Sequence, residues 1–136
     1  MVDASVAVKW LLPENHHAES LALLRAYVDG RTQLIAPPLL AHEVALVIAR
    51  RFERKDLTMA GAQRAFDVFR TYRPALVDQP ELSRDALELA LRYHLGLGDC
   101  VYIALALRYR CNLVTADARL VRAAARHFSF VRPVRP

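Results

Sequence analysis

The chain has 136 residues, of which 54% are hydrophobic and 24% are charged, a balance typical of one globular domain. This composition excludes a mainly disordered chain, and no uncharged stretch approaches the roughly 18 residues of a membrane span. The first five residues include no basic segment ahead of an apolar run. We therefore expect a single domain over residues 1–136 in a soluble, cytoplasmic protein without membrane contact.

The charge of the chain is basic and is carried almost entirely by arginine. There are 19 basic and 14 acidic residues, which gives a net charge of +5, and the lysines are Lys9 and Lys55 alone. Residues 118–136 contain five arginines and no acid. Guanidinium groups form paired hydrogen bonds with phosphates, so a nucleic-acid or acidic-peptide partner is plausible, although basic surfaces more often only aid solubility.

Short apolar runs alternate with helical patterns along the chain. Strands are predicted over 1–3, 33–36 and 112–115, each followed by a helix that begins at Ala4, Pro38 or Asp117. The remaining pattern predicts a short last strand over 129–131 and further helices over 16–28, 58–72, 82–94 and 99–110. Such alternation favours parallel strands joined by helical crossovers, which is an α/β fold.

Two of the predicted helices differ in polarity. The helix from Asp99 carries no further charge before Arg108, so it should be central and buried. The helix from Thr58 alternates Phe66 and Phe69 with charged residues, so it should be peripheral and available to a partner.

Four acidic residues take related places in this scheme. Asp3 ends the first strand, Asp117 follows the third, Glu43 lies one turn into the helix after the second, and Asp99 opens the buried helix. Ligands of open parallel sheets bind at the carboxyl ends of the strands, so these acids should converge there. A structural interpretation stays open for the three aspartates. Each precedes a predicted helix, and an aspartate that caps a helix N-terminus stabilises the fold by about 1 kcal/mol.

Glu43 is harder to explain by structure alone. Its neighbours on the helix surface are apolar, namely Leu39, Leu40, Leu46 and Val47. A buried carboxylate needs a cation, a hydrogen-bonded pair or a proton. His42 and Arg50 are the structural candidates, whereas a metal ion would also explain why other acids gather at the same edge.

The donor types favour a hard cation. Several carboxylates without Cys or His at ligand spacing suit Mg²⁺ or Mn²⁺ rather than Zn²⁺. Cys100 and Cys111 form no C-x-x-C pair, and the histidines form no H-E-x-x-H. The Gly96 to Gly98 run matches no phosphate-binding loop, and no Ser/His/Asp order supports nucleophilic catalysis.

Four blocks of the sequence, in order, resemble the signature blocks of PIN-domain ribonucleases. They are residues 2–10 (VDASVAVKW), 37–44 (PPLLAHEV), 98–106 (GDCVYIALA) and 113–117 (LVTAD). The likeness is greatest to the VapC-type toxins of prokaryotic toxin–antitoxin pairs. It spans nearly the whole chain, and although each block alone is weak, four in order are specific.

The resemblance implies a three-layer fold with a central parallel sheet between helices. It also implies a Mg²⁺ or Mn²⁺ site at Asp3, Glu43, Asp99 and Asp117, with Ser5 and Thr115 in supporting positions. The expected activity is endoribonucleolytic cleavage of single-stranded or loop RNA that leaves a 5′-phosphate and a 3′-hydroxyl. A homodimer and a cognate antitoxin are the expected protein partners.

Two other functions are consistent with the residues. A Mg²⁺-dependent phosphohydrolase of small phosphoesters would also place acids at strand ends, but Asp3-Ala4-Ser5 lacks the second aspartate of a D-x-D nucleophile. A non-catalytic RNA- or protein-binding module would use the acids as caps. For the nuclease, Arg119 and Arg122 in the basic segment are the predicted RNA contacts.

Overall fold

The computed structural model describes residues 1–13 and 15–135, so Glu14 and Pro136 of the predicted domain lie outside it. Two helices precede each of the first three strands, and one helix precedes the last. Their bounds are α1 Ala4–Leu11, α2 His17–Val28, β1 Ile35–Ala36, α3 Leu39–Glu53, α4 Met59–Tyr72, β2 Ala75–Leu76, α5 Leu82–Tyr93, α6 Leu97–Tyr109, β3 Leu113–Thr115, α7 Ala118–Ala124 and β4 Val131–Pro133.

The strands are short, and their pairing is parallel, as predicted. β1 pairs with β2, and β3 pairs with β4. Residues 1–3 connect the two pairs: Val2 bridges Val114 and donates its N–H to the Ile35 carbonyl at 3.4 Å. The Val114 N–H in turn donates to the Met1 carbonyl at 2.9 Å. This mixture of parallel strands and helices confirms the α/β class.

Several predicted boundaries were wrong. Residues 1–3 form an isolated bridge instead of a strand, and β2 was not predicted at all. The last strand lies two residues later than expected, at Val131–Pro133. The buried helix begins at Leu97 with Gly96 as its N-cap, two residues before the predicted start at Asp99.

Helix α6 runs through the core. Its residues 102–106 are buried together with Cys100, as the apolar sequence predicts, whereas Leu97 and Leu107 at its two ends are exposed. Cys100 and Cys111 are both free thiols. Within residues 1–13 and 15–135, each helix is too short or too polar to span a lipid bilayer.

Helix α4 is peripheral, as predicted. Thr58 caps it by accepting a hydrogen bond from the Gly61 N–H at 3.0 Å. Phe69 is its buried residue, while Met59, Val68 and Tyr72 are exposed. The helix therefore covers one side of the core through a narrow apolar stripe.

Candidate functional site

One pocket of about 400 Å³ brings the four predicted acids together. Asp3 comes from the N-terminal segment, Glu43 from α3, Asp99 from the first turn of α6, and Asp117 from the end of β3. Ser5 and Tyr102 also line the pocket, as do three cationic side chains, those of Lys9, Arg50 and Arg119. Residues separated by more than a hundred positions in the sequence thus face the same space.

Asp3 lies at the buried end of the pocket, with 6% of its surface exposed. It caps α1 by accepting a hydrogen bond from the Val6 N–H at 3.2 Å, and the Ser5 hydroxyl donates to the same oxygen at 2.6 Å. Burial raises the pKa of Asp3 to about 6, and the charge of Asp99 adds to this, although the hydrogen bonds oppose it. Asp3 is therefore both a helix cap and an acid of the pocket.

Two hydroxyl groups connect Asp3 to the chain end that carries Asp117. The Ser5 hydroxyl accepts a hydrogen bond from the Ala116 N–H at 2.8 Å and lies 3.2 Å from the Thr115 hydroxyl. The Thr115 hydroxyl accepts from the Asp117 N–H at 3.0 Å. Ser5 lines the pocket, whereas Thr115 is fully buried behind it. Both residues therefore act through hydrogen bonds that fix the acids relative to each other.

Glu43 is held by a residue that the sequence analysis missed. The Tyr102 hydroxyl donates to Glu43 Oε2 at 2.6 Å, so the hydrogen-bond partner is neither of the two structural candidates, His42 and Arg50, that the sequence offered beside a metal ion. The helical spacing could have identified Tyr102, because it follows Asp99 by three residues and so lies on the same face of α6. A tyrosine in a buried apolar helix also needs a partner for its hydroxyl.

The surroundings of Glu43 differ from the expected apolar stripe. The buried stripe of α3 consists of Leu40, Val44 and Ile48, and Glu43 lies half-buried at its edge. Leu46, a neighbour of Glu43 in the predicted apolar stripe, is 42% exposed and lines the pocket. The carboxylate therefore faces the pocket rather than the core.

Asp99 and Asp117 are closer to solvent than Asp3. Asp99 lies inside the first turn of α6, so it is not the N-cap, and burial together with the charges of Asp117 and Glu43 raises its pKa. Asp117 caps α7 by accepting from the Arg119 N–H at 2.7 Å. Partial burial raises the pKa of Asp117, but hydrogen bonds from the Arg119 side chain and from backbone amides outweigh it, so the pKa is below its ordinary value.

The two predicted RNA contacts lie in different places. The Arg119 guanidinium is 3.1 Å from Asp117 Oδ2 and is 85% exposed. Arg122 lines a separate cavity of about 200 Å³, which includes His16 and Pro133. The proposed role of both arginines in RNA binding stays a prediction.

The donor chemistry of the pocket fits Mg²⁺ or Mn²⁺. Four carboxylates supply oxygen ligands only. Burial, with a smaller contribution from neighbouring carboxylates, raises the pKa of both Asp3 and Asp99. Within residues 1–13 and 15–135, no three His, Cys, Asp or Glu side chains are close enough to enclose a metal ion. Mg²⁺ commonly binds through one or two carboxylates and keeps several waters, so the pocket is compatible with it.

Comparison with known proteins identifies a family for this chain. The sequence profile of the PIN domain matches residues 1–126. The chain is also similar to a VapC ribonuclease of Mycobacterium bovis and to Ribonuclease VapC9 of Mycobacterium tuberculosis. Each is 32% identical over 120 residues, which cover 88% of this chain and 87% of the relative. The resemblance found in the four sequence blocks is thereby confirmed.

Proposed function

Because the chain belongs to the PIN-domain family, we propose that it is a Mg²⁺- or Mn²⁺-dependent endoribonuclease that cleaves single-stranded or loop RNA. One observation carries the proposal: four carboxylates from four separate segments of the chain line one open pocket. A helix cap has no need to face three other acids across a cavity, and the charges of Asp117 and Glu43 raise the pKa of Asp99 even though Arg119 opposes them. The names of the relatives support ribonuclease activity.

Each side chain has a role in this proposal. Asp3, Glu43, Asp99 and Asp117 would hold the metal ion, some directly and the others through its bound waters, and orient the attacking water. A bound ion would lower the pKa of that water and neutralise charge on the phosphodiester. Ser5 and Thr115 keep Asp3 at a fixed distance from the end of β3.

The same family membership supports further parts of the proposal. The five parallel segments, with residues 1–3 between β1 and β3, would form the middle of a three-layer fold. The relatives are named VapC, so we propose that the chain is the toxin of a toxin–antitoxin pair, inhibited by a cognate antitoxin. We also propose that it forms a homodimer.

The experiment is a cleavage assay on a labelled single-stranded RNA. Wild-type protein should cleave with Mg²⁺ or Mn²⁺, stop with excess EDTA, and leave 5′-phosphate and 3′-hydroxyl ends. Asp3→Asn should reduce the rate by at least about 100-fold. Asp67→Asn, which removes an exposed carboxylate on α4, is the matched control and should cleave like wild type.

Two outcomes would contradict the proposal. Cleavage that persists in excess chelator, with Asp3→Asn equally active, would exclude the metal-dependent mechanism. RNA binding without any cleavage would favour the non-catalytic binding module, and turnover of small phosphoesters alone would favour the phosphohydrolase.

A further inference from the structure

We infer that Tyr102 is a positioning residue of the site, whose phenol holds the Glu43 carboxylate facing the pocket. The inference rests on the proposed function, because it concerns how one proposed metal-binding acid is oriented. It goes beyond that function by assigning a task to a neutral side chain that has no carboxylate of its own.

The contact between the two side chains is short and shielded. The Tyr102 hydroxyl lies 2.6 Å from Glu43 Oε2, and Tyr102 is only 2% exposed. A hydrogen bond from a hydroxyl to a carboxylate at this distance belongs to the strong, charge-assisted kind. Because the ring is packed in the core, the donor is fixed, and the carboxylate is fixed with it.

The arrangement leaves the other carboxylate oxygen available. A phenol has one proton to donate, and it goes to Oε2, so Oε1 is not engaged by it. Gly98 lies beside Oε1, and a Cβ at this position would approach it to 3.4 Å. The glycine therefore keeps the space next to Oε1 free of a side chain, and Glu43 keeps lone pairs for a cation.

A neutral donor suits this position better than a cationic one. A lysine or arginine paired with Glu43 would neutralise the carboxylate and compete with a metal ion for it. A phenol orients the carboxylate without adding positive charge. The spacing on α6 places this donor one turn after Asp99, so a single helix carries both an acid and the residue that orients another acid.

The test removes one oxygen atom from the protein. Tyr102→Phe should weaken Mn²⁺ binding by about tenfold, measured by electron paramagnetic resonance titration, because loss of a partner of a metal ligand typically costs 10- to 100-fold. It should lower kcat for RNA cleavage and leave KM unchanged. Tyr109→Phe is the matched control: it removes a phenol from the same helix, bonded to Gln79 at 3.0 Å outside the pocket, and should change neither quantity.

A double-variant comparison separates positioning from general stabilisation. If Tyr102 acts through Glu43, then Tyr102→Phe should weaken Mn²⁺ binding no further in a Glu43→Gln background. The opposite results are that Tyr102→Phe reduces Mn²⁺ affinity equally in the wild-type and Glu43→Gln proteins, or leaves it unchanged in a protein that cleaves RNA. Either result would overturn the role of Tyr102 and leave the proposed function standing. Wild-type protein that neither binds Mn²⁺ nor cleaves RNA would overturn the proposed function, and the inference with it.

Discussion

The two ends of the pocket carry the same residue in the same local role but in opposite environments. Asp3 caps α1 and Asp117 caps α7, each through hydrogen bonds from amides of the following turn. Asp3 is buried, and burial raises its pKa to about 6. Asp117 is partly exposed and paired with Arg119, and its pKa falls below the ordinary value.

This difference shows that one aspartate can cap a helix and also serve as an acid of the pocket. A cap uses only part of a carboxylate, since each oxygen has two lone pairs. What distinguishes the two residues is the remaining environment, which is dry for Asp3 and contains a guanidinium for Asp117. The ionised form is therefore destabilised at one end of the pocket and stabilised at the other.

The largest effect expected from this comparison is a pH dependence that arises from Asp3. The rise of its pKa from 3.8 to about 6 corresponds to about 3 kcal/mol. The folded state binds the proton of the Asp3 carboxyl more tightly than the unfolded state does. The free energy of unfolding of metal-free wild type should therefore fall by about this amount as the pH rises from about 4 to about 7. Urea unfolding at several pH values in EDTA measures it.

Asp3→Asn provides the reference for that measurement. Asparagine can still cap α1 but does not titrate, so the variant should lack this part of the pH dependence and be at least as stable as wild type at pH 7. A constant difference between the two proteins at every pH would show that the two ends of the pocket do not differ in this way.

Much of the fold could be predicted because it depends on local pattern. The apolar run of α6 predicted a buried helix, and the alternation of elements predicted parallel strands. The short strands were harder: β2 has two residues, and its pairing with β1 depends on a partner about forty positions away. Residues 1–3 form one bridge only, since the helix at Ala4 begins at once.

The convergence of the four acids in one pocket could be predicted from the sequence, but the hydrogen-bond partners of these acids could not. Strand ends and helix starts placed the four carboxylates at one edge without any contact information. The bond between Tyr102 and Glu43 joins α6 to α3, and that between Ser5 and Thr115 joins α1 to β3, so both depend on how elements pack. The pairing of Arg119 with Asp117 was missed although the two are neighbours, because a long exposed side chain has many rotamers.

A second prediction compares Asp99 with Asp117 in metal-free melting curves. Asp99→Asn removes a charge that is disfavoured by burial and repelled by Asp117 and Glu43, so the melting temperature should rise by up to about 4 °C, the shift for about 1 kcal/mol in a domain of this size. Asp117→Asn keeps a cap but loses the exposed pair with Arg119, so stability should fall by less than about 1 kcal/mol.

The same variants can be melted again with millimolar Mn²⁺. Binding to the folded state should raise the melting temperature of wild type, and of each variant less, because each lacks one ligand charge. Equal metal-induced shifts in wild type and both variants would contradict a shared site and leave the aspartates as structural residues.

The smallest expected effect concerns the basic segment next to Asp117. If Arg119 and Arg122 each contact a phosphate, then each change to Ala should reduce the slope of log affinity against log salt by about 0.7, the value for single-stranded nucleic acid. Arg64→Ala, on exposed α4, controls for the loss of one positive charge. The Arg119 change should also expose Asp117 to solvent, whereas Arg122 lines a different cavity.

A reduced slope for Arg119→Ala alone would place the RNA path across the pocket, whereas unchanged slopes for both would exclude α7 from that path. Filter binding between 50 and 200 mM salt, with the Asp3→Asn variant background to prevent cleavage, measures these slopes.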